Sequence, residues 1–185
     1  MIVRLEEPTD RPHAIEVERR AFDSDEEPAI VEAVRDEPGA FAFVAEEDGR
    51  VVGHVQMSPG TVGNSEVLAL GPIGVLPERQ RRGIGSALIC AALDEARARG
   101  WVAAIVIGDP RFYPRFGFEP GAAYGLRNSF AGVYPGGFEI KEEDFMLAPL
   151  VEGAREFRGP VRWHAAFGQG PDPGEVAVEG TTCGA

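Results

Sequence analysis

Apolar and polar positions alternate from Met1 to Pro8, the period-two pattern of a first strand. Thr9 or Asp10 then stands where a helix N-cap is wanted, and Ile15, Val17 and Ala21 supply apolar positions of a helix running to about Phe22. The acidic stretch Asp23-Ser24-Asp25-Glu26-Glu27-Pro28 breaks that pattern, and Ala29–Asp36 predicts a short second helix. Phe41–Glu46 and Arg50–Met57 read as strands around Glu47-Asp48-Gly49, whose Asp-Gly is a strong hairpin signal. Gly63 and Asn64 mark another turn before a strand at Glu66–Val75.

The pattern then changes from hairpins to a crossover. Arg82–Arg99 predicts a helix whose broad apolar arc contains Ile84, Leu88, Ile89, Ala91, Ala92, Leu93 and Ala96, stopped by Gly100. Trp101–Ile107 follows as a continuous apolar run, as expected of a strand buried on both faces. Strand, helix and buried strand form a βαβ unit with parallel strands. The fold class is therefore α/β, a mixed α+β sheet of antiparallel hairpins plus one parallel βαβ crossover. Beyond Pro110 the chain is aromatic and Gly-rich through Gly137, with strand-like Asp144–Val151 and Val161–Phe167 after it. Residues 1–167 are expected to form one domain. Residues 168–185, Gly/Pro-rich and acidic with a weak strand at Glu175–Glu179, read as a tail.

A length of 185 residues agrees with one domain plus an appendage and can bury a substantial core unaided. The 18 Lys+Arg against 30 Asp+Glu leave a formal charge of −12, which opposes nucleic acid and anionic membranes and tolerates cations. Lys141 is the sole lysine, so nearly all positive charge sits in planar Arg forks suited to phosphate or carboxylate. The two cysteines, Cys90 and Cys183, are far apart, and His13, His54 and His164 have no metal-ligand spacing. Neither disulfides nor metal chemistry are expected. No apolar run reaches a membrane span, and the first residues lack the pattern of a signal peptide. The expectation is a soluble, cytoplasmic protein that binds neither membrane nor nucleic acid.

Candidate chemistry concentrates in Leu70-Gly71-Pro72-Ile73-Gly74-Val75-Leu76-Pro77-Glu78-Arg79-Gln80-Arg81-Arg82-Gly83-Ile84-Gly85-Ser86, where a strand ends, turns and becomes a helix. First-turn amides have no internal partner and carry the positive end of the helix dipole, so they form an anion site. Gly83 and Gly85 let the backbone approach a ligand closely, and Arg79, Arg81 and Arg82 add charge beside it. A pyrophosphate is the natural occupant, although an Arg trio before a Gly-rich helix start is also an ordinary solvated face. The dinucleotide fingerprint needs a third Gly where Leu88 stands, and no Gly-Lys-Ser/Thr of a mononucleotide loop occurs.

Gln80-Arg81-Arg82-Gly83-Ile84-Gly85 resembles the Gln/Arg-x-x-Gly-x-Gly/Ala acetyl-CoA loop of the GCN5-related N-acetyltransferase (GNAT) superfamily. Phe112-Tyr113-Pro114-Arg115-Phe116-Gly117-Phe118 resembles that superfamily's second signature, and the spelling Gly108–Pro120 is similar to its bacterial YhbS-like branch. The resemblance is specific over residues 70–120 and extends in element order over residues 1–167. It implies a GNAT fold in which the strand before the loop splays from its neighbour to admit acetyl-CoA as cosubstrate. Amides of Ile73, Gly74 and Val75 would meet the pantetheine arm and thioester. Gln80, Arg81, Arg82, Gly83, Ile84, Gly85 and Ser86 would hold the pyrophosphate. Independently, Gly71-Pro72 and Gly74 are poor central-strand residues and predict a bulge there.

The implied reaction is direct attack of a neutral amine on the thioester, with Tyr113 as general acid toward the leaving thiolate; the alternative for Tyr113 is a core tyrosine packing beside Phe112 and Phe116. The Glu that serves as base in the histone-modifying branch is replaced by Ala69. Remaining candidates are Glu18, Glu16, His54 and Asp109, each of which by itself reads more readily as a solvated or structural residue, and a water chain needs none of them. Acceptor choice falls to Asp23–Glu27, which reads either as an acidic lip suited to a cationic amine or as plain solvated charge, and to Gly121–Phe138 with Tyr124, Arg127, Phe130 and Tyr134; Arg127 could instead meet a substrate carboxylate. Cys90, among apolar neighbours, is expected to be buried, and no His lies near either cysteine to support an acyl-cysteine route. The expected activity is an acetyl-CoA-dependent N-acetyltransferase acting on a small-molecule or protein amine, as monomer or homodimer. The alternative is a non-catalytic acyl-CoA-binding sensor or interaction module.

Overall fold

The computed structural model describes residues 1–128, 130, 132–134, 138–151 and 156–168. Strand β1 (Ile2–Leu5) is followed by helix α1 (Arg11–Phe22). Asp10 occupies the N-cap position without capping, because its carboxylate is taken by the Arg4 guanidinium at 2.6 and 2.9 Å and by the Glu7 N–H at 2.8 Å. Asp10 thus ties β1 to the helix start. Helix α2 (Glu26–Val34) begins earlier than its apolar pattern suggests. Pro28 falls in its first turn, where a missing N–H is tolerated.

Strands β2 (Phe41–Glu47), β3 (Arg50–Val62) and β4 (Ser65–Val75) form an antiparallel meander. Asp48 and Gly49 both adopt positive φ, as a two-residue hairpin turn of the right twist requires. β3 continues past Met57, its last residue paired with β2, to Val62; Pro59 lies beyond that pairing, so on that edge no strand needs its N–H. Helix α3 (Ile84–Ala98) starts after Gly83 rather than at Arg82, since Gly83 sits at φ +83°, outside the helical region. Strand β5 (Ala103–Ile107) returns parallel to β4, as the crossover pattern predicts.

The remaining strands are β6 (Glu119–Pro120), β7 (Gly132–Tyr134), β8 (Phe138–Ile140), β9 (Phe145–Pro149) and β10 (Val161–Arg162). The main sheet runs β1-β2-β3-β4-β5-β9-β6, with β10 on the far end of β3 and β7-β8 as a separate hairpin. The stretch expected to be a strand through Phe167 is one only at its start: His164 Nδ1 accepts the Ala166 N–H at 3.1 Å and residues Ala165–Phe167 turn as a 3-10 helix. Residues 169–185, with the strand expected at Glu175–Glu179, lie outside the described residues.

Helices cover both faces of the sheet. A side chain at Gly53 would collide with Ile84 and Leu88 of α3, whereas the next residue, His54, bonds Glu18 of α1. The inner side of α3 packs Ile84, Leu88, Ile89, Ala92, Leu93 and Ala96 against Val55, Met57, Leu68 and Leu70. Each fully buried Leu or Ile of that layer contributes about 1.5–3 kcal/mol. Cys90, expected inside, is exposed on the outer side of α3, because the helical turn from buried Ile89 carries it away from the sheet. Among the described residues no helix is long and apolar enough to cross a membrane.

Candidate active site

The site begins where β4 leaves β5. Their parallel pairing holds at Leu68–Ala104 and Ala69–Ile105 and stops there, so residues 70–75 of β4 diverge from β5. On its other edge β4 stays paired to β3, but the register shifts: Val55 faces Ile73 and Met57 faces Leu70, leaving Gly71 and Pro72 opposite Gln56 alone. This is the expected bulge, with Gly71 at φ +136°, a conformation open to glycine. Leu76 donates its N–H to Val52 O at 3.0 Å, which fixes the alternation of the ladder. Gly74 therefore turns its N–H toward β3, while the N–H groups of Ile73 and Val75 point into the gap that β5 has vacated.

That gap opens into a cleft of about 540 Å³. Leu70 to Ile73 line one side, and Ile107, Gly108, Asp109 and Tyr113 line another. Phe22 and Glu27, from the end of α1 and the start of α2, complete it together with Phe130, Ile140, Asp144, Trp163 and Phe167. Tyr113 begins a 3-10 turn, and its ring lies edge-on to Phe112 and Phe118 with centroids 5.2 and 5.6 Å away. Gly108 makes that placement possible: a Cβ there would come 2.2 Å from the tyrosine ring. Burial pushes the Tyr113 hydroxyl up to about 12, so it is a proton donor throughout the neutral range.

The candidate bases separate sharply. Glu16 is exposed and paired with Arg19 at 3.2 Å. Asp109 reaches the cleft, but the bidentate Arg111 guanidinium, at 3.0 and 2.9 Å, and the Arg111 N–H hold its carboxyl below the usual range. It is a poor base. Glu18 and His54 meet each other instead: Glu18 Oε1 lies 2.6 Å from His54 Nδ1, both fully buried on the face of Gly74. Burial raises the Glu18 carboxyl, opposed first by the hydrogen bond to His54. Ala69, where a base would stand in the histone-modifying branch, is buried.

Of the acidic lip, Asp23, Asp25 and Glu26 are exposed, and Asp25 bonds Arg19 at 2.6 Å. Glu27 alone of these carboxylates turns into the cleft. Tyr124 donates to Glu119 at 2.8 Å and meets Phe157 edge-on, away from the cleft lining, and Arg127 is exposed. The side chain of Tyr134 lies outside the described residues. The sequence did not single out Trp163 or Phe167, which line the cleft, since three scattered aromatic segments carry no shared period.

The Gly-rich loop follows directly from β4. Gln80 Nε2 donates to Val75 O at 3.1 Å, pinning the loop to the strand end. Arg81 adopts φ +59° and Gly83 φ +83°, and no side chain caps α3, so its first amides remain available to an anion. Arg79 and Arg82 lie 3.5 and 3.7 Å from Glu47, which holds them beside the turn. Ile84 is buried against the Gly53 position and anchors the helix start, leaving Gly85 and Ser86 partly exposed.

A mixed sheet splayed at a bulge beside an uncapped Gly-rich helix start is the architecture of acyl-CoA-dependent N-acyltransferases. The Acetyltransferase (GNAT) family model matches residues 6–118, and the chain belongs to that family. It is 31% identical over 172 residues to the uncharacterized N-acetyltransferase YhbS of Escherichia coli, covering 90% of this chain and 98% of that one. The crystal structure of E. coli YhbS in complex with CoA superposes with a TM-score of 0.77, covering 90% and 91% of the two chains. A GNAT family acetyltransferase from Brucella melitensis in complex with acetyl-CoA gives 0.70, at 31% identity over 90% and 97%.

Proposed function

We propose that this chain transfers an acetyl group from acetyl-CoA to a primary amine by direct attack on the thioester. The observation that carries this reading is the joint placement of Ile73 and Tyr113 on one cleft where β4 leaves β5. Complexes of similar proteins with CoA and acetyl-CoA support it. In this reading the amides of residues 83–86, with Arg81 and Arg82 beside them, take the pyrophosphate, and Gln80 sets the loop. The outward N–H groups of Val75 and Ile73 meet the pantetheine arm and the thioester oxygen. Aimed at that oxygen, the Ile73 N–H stabilises the charge that develops on attack.

The acceptor nitrogen attacks as a neutral amine, forming the C–N bond as the C–S bond breaks. An alkylamine with a pKa of about 10 must first shed a proton. Tyr113 donates to the departing sulfur. Full transfer from a buried phenol to a thiolate of parent pKa about 8.5 is uphill, so the tyrosine passes on the proton that the acceptor nitrogen releases rather than losing its own for long. Overall, amine and acetyl-CoA become amide and CoA thiol.

Thiol release from acetyl-CoA, measured across a panel of amines, tests this. Amine-dependent release is expected, and Tyr113→Phe should lower kcat about 10²-fold or more while acetyl-CoA still binds. Tight acetyl-CoA binding without turnover of any amine would leave an acyl-CoA-binding module and overturn the enzymatic reading.

A further inference from the structure

The cleft contains one charged group that neither the fold nor the loop uses. Glu27 is 7% exposed, lies in the first turn of α2, and its Oε2 is buried without a hydrogen-bond partner. A buried carboxylate oxygen left unpaired is costly and calls for a cation or donor. Among the described residues that line the cleft three are carboxylates and none is Lys, Arg or His. Two of the three are already engaged. Asp109 is gripped by Arg111, and Asp144 accepts the Lys141 N–H at 2.8 Å. Arg127, the residue that could have met a substrate carboxylate, is exposed and absent from the lining.

The cleft that Glu27 lines has an apolar and aromatic wall that includes Phe22, Phe130, Ile140, Trp163 and Phe167. Phe130, Phe145 and Phe167 pack around the Trp163 ring at centroid distances of 5.7, 6.2 and 5.8 Å. Such rings receive a flat apolar body and the fringe of a cation, whereas a polycation would leave its further charges without counterions. We infer that the acceptor is a hydrophobic primary monoamine of the arylalkylamine kind, its nitrogen arriving as an ammonium on Glu27 and losing a proton to that carboxylate before it attacks, its body against the aromatic wall. The inference rests on the acetyltransferase reading and deepens it. It excludes amino acids, because an acceptor carboxylate would enter a site of uniformly negative lining.

The test compares kcat/KM for 2-phenylethylamine, phenylalanine, spermidine and kanamycin with acetyl-CoA, beside a calorimetric acetyl-CoA titration on the same preparation. Phenylethylamine should exceed phenylalanine, which differs only by its carboxylate, by at least roughly tenfold, and should exceed both polycations. Glu27→Gln should raise the phenylethylamine KM about tenfold or more, narrow its advantage over phenylalanine, and leave acetyl-CoA affinity unchanged. A merely structural Glu27 would not move that selectivity. Phe22→Ala, at the exposed rim, should weaken phenylethylamine and spare ethylamine, which keeps the test independent of how Glu27→Gln folds. Acetyl-CoA binding with preference for spermidine, kanamycin or phenylalanine, or with no acetylation of phenylethylamine, overturns this inference alone. Absence of acetyl-CoA binding overturns the acetyltransferase reading itself.

Discussion

Glu18 and His54, 36 positions apart in sequence, meet at 2.6 Å in the fully buried space above Gly74. His54 and Gly74 are direct cross-strand partners, so their side chains would share one face of the sheet. Gly74 has none, and the Glu18 carboxylate fills that volume: a Cβ on Gly74 would lie 2.8 Å from Glu18 Oε2. The other imidazole nitrogen of His54 lies 3.8 Å from Glu6, which lies 3.8 Å from the buried Arg35 guanidinium. A buried chain of ionisable groups, Arg35–Glu6–His54–Glu18, thus underlies the strand whose neighbouring amides face the cleft.

Removing one member of this chain should be expensive. Glu18→Ala is expected to cost about 3–5 kcal/mol in denaturant unfolding, because it leaves buried His54 without its partner. Gly74→Ala forces Glu18 or the strand to move, and about 1–3 kcal/mol is expected. Gly74→Ala should also impair turnover more than its stability loss explains, since the adjacent Ile73 and Val75 amides move with it. Unchanged stability in Glu18→Ala would refute the role of the pair.

Gly108→Ala tests the seating of Tyr113 without touching its hydroxyl. A methyl group 2.2 Å from the ring cannot be accommodated, so the tyrosine must shift. Turnover should fall by about 10²-fold, comparable to Tyr113→Phe, while acetyl-CoA affinity holds. Wild-type kcat in Gly108→Ala would separate Tyr113 from the chemistry.

The pH profile follows from the burial of the same residue. Tyr113 works in its protonated form, and burial has raised its pKa from 10.0 to about 12. Activity should therefore rise with pH as the acceptor amine deprotonates, with no descending limb below about pH 10. A falling limb centred between about pH 8 and 9 would show that the donor is another group.

Two glycines of the loop should respond with opposite signs in stability. Gly83 sits at φ +83°, so Gly83→Ala should cost about 1 kcal/mol. Gly85 lies within α3, and a Cβ there meets only Val75 Cγ2 at 3.9 Å, an ordinary contact. Gly85→Ala should leave stability unchanged or raise it by up to about 1 kcal/mol, yet weaken acetyl-CoA binding, because the proposed pyrophosphate site needs the close backbone approach that a methyl group there would hinder.

The parts of this architecture that repeat along the chain were readable from it. The Asp48-Gly49 hairpin, the α3 periodicity, the buried β5 run and the two spaced motifs each place an element locally. What needed the third dimension was pairing between distant segments. Glu18 looked no different from Glu16 in sequence, yet α1 turns one inward to His54 and the other outward to Arg19. Glu27 looked like one member of a solvated acidic run. The proline that suggested a break sits instead inside the first turn of α2, and the earlier helix start rotates Glu27 into the cleft.

The proposed function requires the loop from Gln80 to Ser86 to hold the pyrophosphate of acetyl-CoA. Calorimetric titration with acetyl-CoA, dephospho-CoA and acetyl-pantetheine tests this most directly. Micromolar acetyl-CoA affinity is predicted, kept largely by dephospho-CoA, which retains the pyrophosphate, and lost sharply with acetyl-pantetheine, which does not. Equal affinity for acetyl-pantetheine, or no binding of any of the three, would reduce the loop to a Gly-rich helix start and contradict the proposed function.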